Sequence, residues 1–227
     1  TTGHKLRPED LFSLEQYAKQ RPEFRPKVIA HKRNRTLQCG PNATWCFEDR
    51  LTIRYQVQEM LPAGIADELG AYNPLIPDGR NWKVTLLIEF PDADERRVAL
   101  AQMKGIEDRC WVQVAGHERV FAIADEDLER ENDEKTSAVH FLRFELSPAM
   151  VAAAKGGAAV SIGMDHDAYR HAIEPLPQAA RDALVRDDKG QPLVWVAQME
   201  SAAQALKDGV TRESFPQGTV FSMGIHL

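Results

Sequence analysis

The stretch Trp82-Lys-Val-Thr-Leu-Leu-Ile-Glu-Phe90 carries the first clear fold signal in the chain. Trp82, Val84, Leu86, Ile88 and Phe90 share one face at a period of two, which predicts a half-buried β-strand. Pro91-Asp92 stops that strand, and Asp92 to Lys104 reads as a helix closed by Gly105. Two further strands, Arg109 to Ala115 and Arg119 to Ala124, flank Gly116-His117 and predict a hairpin. Thr136 to Leu146 is the longest strand candidate. Ser147-Pro148 opens a helix that runs through Lys155 to the break at Gly156-Gly157. Ala158 to Gly163 is apolar on both faces and reads as a central strand.

Upstream of Trp82 the chain is more varied. Pro8 to Lys19 reads as a first helix ended by Arg21-Pro22, and Pro22 to His31 as a second short one. Arg35 to Cys39 and Ala43 to Phe47 form a hairpin across Gly40-Pro41-Asn42. A helix capped by Asp49 follows, then a short helix over Ile65 to Tyr72 and a rigid loop over Asn73 to Gly79. Downstream of Met164 a helix is expected over Leu176 to Val185, and weaker signals continue past the turn Asp187-Asp188-Lys189-Gly190. The order of elements does not alternate as βαβ units do. It predicts an α+β fold with a mostly antiparallel sheet and helices packed largely on one face. Residues 1–186 read as a single domain with a helical N-terminal segment, and residues 187–227 as an extension.

Composition narrows the class of protein. At 227 residues, 43% hydrophobic and 27% charged, the chain can bury a sizeable core and is ordinary for a globular protein. No run approaches the roughly 20 apolar residues of a membrane helix, and Leu6 to Gln20 is too charged for a signal peptide. Three cysteines without a Cys-x-x-Cys pair read as reduced thiols in a cytoplasm rather than a disulfide or zinc framework. The net charge of −6 is uneven. Residues 1–37 carry nine Lys/Arg against four Asp/Glu, with the excess peaking from Arg25 to Arg35, while acid concentrates at Asp125 to Glu134. No P-loop, dinucleotide-binding, zincin or serine-hydrolase signature occurs.

The candidate binding site lies in the helix after Asp49. Ile53, Val57, Met60 and Leu61 form one apolar stripe, and Leu51 with Tyr55 a second. Between them runs the row Arg50, Arg54, Gln58, spaced four apart, with Glu59 beside it. A polar row between apolar stripes is partly buried, and a buried guanidinium needs a carboxylate, phosphate or carbonyl partner. The row therefore binds an anion beside the loop containing Tyr72 and Asn73, or forms an internal ion-pair network. Two histidines offer other chemistry. His140 falls on the core face of its strand with Ala138, Leu142 and Phe144, and is either a hydrogen-bonded core residue or a general base or metal ligand. Asp165-His166-Asp167 is expected in a loop after a buried strand, which offers two ligands for iron or zinc.

Several strings are similar to a bacterial domain-of-unknown-function family, DUF3501. They include Asp10-Leu-Phe-Ser-Leu-Glu-Gln-Tyr17, Phe47-Glu-Asp-Arg50, Tyr55-Gln-Val-Gln-Glu-Met-Leu61, Ala71-Tyr-Asn-Pro-Leu-Ile-Pro-Asp-Gly79, Gly105-Ile-Glu-Asp-Arg109 and Glu134-Lys-Thr-Ser-Ala-Val-His-Phe-Leu-Arg-Phe144. The resemblance covers about residues 4–185. It implies a cytoplasmic protein in a redox or peroxide-stress setting, with a rubrerythrin-like or iron–sulfur protein as partner. This chain departs from the family where Leu61 passes directly to Pro62-Ala-Gly64 instead of continuing as a charged helix. Three functions follow as expectations. The first is an accessory or ligand-binding protein, alone or as a homodimer, with its site at Arg50, Arg54, Gln58 and Glu59 and its basic segment docking an acidic partner. The second is a metal-dependent enzyme using His140 or His166 with nearby carboxylates. The third is RNA binding through the basic N-terminal third.

Overall fold

The computed structural model describes residues 5–60, 65–124 and 136–185. The extension expected over residues 187–227 and the acidic stretch from Asp125 lie outside them. The described residues are α+β, as the sequence pattern requires, with the strands in two sheets. The first runs in the order β1 (Thr36–Gln38), β2 (Ala43–Phe47), β3 (Asn81–Ile88), β7 (Val139–Glu145), β6 (Ile123–Ala124). The second runs β5 (Arg119–Phe121), β4 (Cys110–Val114), β8 (Val160–His166), β9 (Tyr169–Ile173). Every paired neighbour is antiparallel.

One apolar core joins the inner faces of both sheets. Trp45, Leu86 and Phe144 come from the first, and Val112, Ile162 and Met164 from the second. The alternation read in Trp82 to Phe90 holds: Trp82, Val84, Leu86 and Ile88 are buried while Lys83, Thr85 and Leu87 face outward and are half-buried. The expected strand Arg119 to Ala124 is divided at Ala122, whose N–H bonds to Cys110. Its first part stays in the second sheet and its last two residues cross to pair with β7. Tyr169 ties the sheets together at the other end. Its hydroxyl accepts from the N–H groups of Asn42 and Ala43 and donates to the carbonyl of Cys39. Gly40 makes room for this: a Cβ there would sit 2.5 Å from the Tyr169 hydroxyl and from the ring of His171.

The helices are α1 (Leu14–Lys32), α2 (Arg50–Met60), α3 (Ile65–Tyr72), α4 (Ala93–Gln102), α5 (Pro148–Lys155) and α6 (Gln178–Val185). Asp49, Asp92 and Ser147 cap α2, α4 and α5 with their side-chain oxygens, as expected from residue type and position. Two readings are corrected. Pro8–Asp10 is only a 3-10 turn, and a single helix replaces the two short ones expected on either side of Pro22. It starts at Ser13, which exchanges bonds with Gln16 in a capping box, and runs through both Pro22 and Pro26. A proline removes the bond to the carbonyl four residues back. Those carbonyls belong to Ala18 and Pro22, both exposed residues, so the lost helical bonds fall where the chain is open to solvent and not in the core. Likewise, Asp165 and His166 are the last residues of β8 and not a loop, and the chain returns as β9, which had no counterpart in the sequence reading. β9 is an edge strand on which only Tyr169 is buried, so it carries no hydrophobic alternation to detect.

Candidate functional site

A second, smaller apolar cluster lies apart from the main core. It consists of Leu6, Ile53, Val57, Leu69 and Ile76, with Leu11, Tyr72 and Leu75 packed against it. The N-terminal segment is seated on this helical layer by two side-chain amides that behave alike. The Gln58 Oε1 accepts from the Phe12 N–H at 2.9 Å while its Nε2 donates to the Phe12 carbonyl at 3.0 Å. The Asn73 Oδ1 accepts from the Leu6 N–H at 2.7 Å while its Nδ2 donates to the Leu6 carbonyl at 2.9 Å. Each amide thus imitates one rung of a β-ladder, satisfying both polar groups of one backbone residue.

The row on α2 lies against this segment and α1. Arg50 reaches Asp10 at 2.9 Å, and hydrogen bonding to the Arg7 N–H, then Arg50, holds the Asp10 carboxyl below its ordinary range. Gln58 is fully buried. Glu59 receives two bonds from Arg21, at 2.8 and 2.9 Å, and one from the Tyr17 hydroxyl. Arg21's bonds pull the Glu59 pKa down to about 2, against a smaller opposing effect of burial. Burial and the adjacent carboxylate push the Tyr17 hydroxyl upward.

Arg54 differs from its neighbours. Its guanidinium lies over the ring of Phe12 at 4.7 Å and near that of Phe24 at 5.5 Å. These rings belong to an aromatic group with Tyr17 and Tyr55. Its Nε is buried without a hydrogen bond, and among the described residues the side chain forms no ion pair. Burial, then the Arg50 charge, lowers its pKa.

The structure therefore gathers Arg50, Arg54, Gln58 and Glu59 on one surface facing residues 10–24, but directs Tyr72 and Asn73 to the Leu6 end of the same segment. The basic segment is divided too. Arg25, Lys27 and Arg33 are exposed, whereas Arg35 turns inward. Its Nε lies 3.2 Å from Asp49, and its Nη2 donates to the Ala183 carbonyl. Asp49 also holds His31 at 2.5 Å. Burial pushes the Asp49 carboxyl up, but His31 and Arg35 outweigh it and leave the group below its usual range.

The proposed metal ligands do not meet. His140 is buried on the core face of β7, its Nε2 3.1 Å from the Thr136 hydroxyl and 3.0 Å from the Ser137 carbonyl. The His166 Nε2 lies 2.9 Å from the Lys104 carbonyl and its Nδ1 accepts from the Ala168 N–H. Asp165 pairs with Arg170 at 2.8 Å. Among the described residues no three His, Cys, Asp or Glu side chains converge as a metal site.

Fold and site together define an α+β protein whose helical layer clamps its own N-terminal segment and leaves one guanidinium bracketed by aromatic rings. The chain belongs to the family described as "Protein of unknown function (DUF3501)", whose model matches residues 5–188. It is also similar to a solved structure from Burkholderia pseudomallei, described as a novel protein of unknown function. The two are 48% identical with a TM-score of 0.74, and the match covers 78% of this chain and 96% of that one. No curated protein matches the chain. Among the described residues no helix is long and apolar enough to cross a membrane.

Proposed function

We propose that this protein is an accessory or ligand-binding protein that takes a carboxylate- or phosphate-bearing molecule, or an acidic partner surface, at Arg54. The observation that supports this reading is the contrast along one helix. Arg50, Gln58 and Glu59 have protein partners, whereas Arg54 sits half-buried against two aromatic rings with no anion paired to it among the described residues. A partly desolvated guanidinium binds an incoming anion more strongly than a fully hydrated one. The exposed cations Arg25, Lys27 and Arg33 on and after α1 supply a steering field for an acidic partner. The three free thiols fit a reducing compartment, taken here as the cytoplasm, and the redox setting of the family resemblance would make an iron–sulfur or rubrerythrin-like protein a partner to test first.

The test is thermal unfolding with inorganic phosphate, citrate and a short polyglutamate peptide. At least one should raise the wild-type Tm saturably, because a ligand that binds only the folded state stabilises it by RT ln(1 + [L]/Kd). Arg54→Ala should abolish that shift with an unchanged far-UV circular dichroism spectrum. An equal shift in Arg54→Ala removes Arg54 from the site.

A further inference from the structure

The outward face of the first sheet carries two cations directly opposite each other. Lys83 on β3 is the cross-strand partner of Arg143 on β7. Like charges placed so are ordinarily avoided in antiparallel sheets, because the side chains are neighbours on one face. Arg143 is engaged by Glu145, which also accepts from the Asn81 side chain at 3.1 Å. Lys83 is half-buried, and among the described residues its amine has no hydrogen bond or ion pair. Burial first, then the charges of Arg143 and Lys5, lower its pKa to about 8, against weaker opposing effects of Glu145 and Asp78. The amine of Lys5 is occupied by the Asn73 carbonyl at 2.7 Å, so it contributes charge and does not compete as a nucleophile in the same way.

A lysine that is partly desolvated and faced by another cation is the arrangement that frees an amine for attack on carbonyl carbon. We propose that Lys83 is an imine-forming site that accepts small aldehydes and ketones. In the step itself, the lone pair of the Lys83 Nζ forms a bond to the carbonyl carbon as the C=O π pair moves to oxygen. The two amine protons leave with that oxygen as water, and the resulting C=N nitrogen takes one proton from solvent to become the iminium. No oxidant or reductant is consumed. None of the groups acting on Lys83 is among those around Arg54, so the two proposals fail independently.

The experiment uses the full chain with glyoxylate as carbonyl probe and cyanoborohydride to trap the imine, followed by peptide mapping across pH 6–10. At pH 7 an amine of pKa about 8 is about 10% neutral, against well under 0.1% for an ordinary lysine, an advantage only partly offset by its lower basicity. Lys83 should therefore be labelled at least about tenfold faster than the exposed Lys19, Lys27 and Lys104, with its rate levelling off near pH 8. The comparison is internal to the wild-type protein, so it does not depend on any variant folding. Arg143→Gln removes the facing charge and should move the levelling-off of Lys83 to higher pH without altering the other lysines. Labelling of Lys83 at the rate of the others, or a rate that keeps rising to pH 10 alongside them, overturns the proposal.

Discussion

Replacing Gln58 by Ala tests whether the N-terminal segment is held by side-chain amides. The side chain is fully buried, and both its polar ends are spent on the backbone of Phe12. Two hydrogen bonds contribute about 1 kcal/mol each, and a partly buried N–H and carbonyl left without partners add a further penalty, giving a cost of about 2–4 kcal/mol. The loss is local in origin. Residues 5–12 are also held by Asn73 and by the Arg50–Asp10 pair, so the segment can peel away while both sheets persist. Native-state hydrogen exchange is the suitable assay. The Phe12 amide should lose protection by roughly 30- to 700-fold, the equivalent of that energy, while Val112 in the core changes little. Gln58→Glu gives a sharper version. Its carboxylate can still accept from the Phe12 N–H but repels the Phe12 carbonyl, so its pKa is raised in the folded state. The penalty is then present at neutral pH and relieved as pH falls through that value, when the acid regains a donor. Unchanged exchange at Phe12 in Gln58→Ala, or an equal loss at Phe12 and Val112, would refute the clamp.

Two further outcomes follow from named contacts. The Glu59 pKa is depressed to about 2 from an ordinary 4.5, so its contribution to stability is fully present above that ordinary value and is lost as pH falls from 4.5 toward 2. Urea midpoints measured across this window should fall less steeply in Glu59→Gln than in the wild type, and identical slopes would mean that the Arg21 pair contributes nothing. Tyr169→Phe removes three hydrogen bonds that join the second sheet to the Gly40 turn of the first. It should cost about 2–3 kcal/mol in urea unfolding, and a loss within about 0.5 kcal/mol would show that water or a rearranged turn replaces the hydroxyl.

What could be read in the chain before folding was local. Asp49, Asp92 and Ser147 announced helix starts because a cap is a contact between residues two or three apart. The Ser13-Leu-Glu-Gln16 box was equally available, and would have placed the start of α1. Alternation in Trp82 to Phe90 fixed which residues face the core, and the four-residue spacing placed Arg50, Arg54 and Gln58 on one side of α2. The position of the row between two apolar stripes indicated partial burial, and Gln58 goes further and is fully buried.

Partnership was decided only in three dimensions. Nothing near Gln58 in the chain indicates that it meets the backbone of Phe12, 46 residues away, or that Tyr169 reaches Asn42 across 127. The placement of Lys83 opposite Arg143 depends on strand register, which a shift of one residue would abolish. Local spacing determined which face each side chain occupies. Which of the charged groups found a counter-charge, and which were left without one, was settled by how distant segments pack, because electrostatic pairing depends on distance in space and not along the chain.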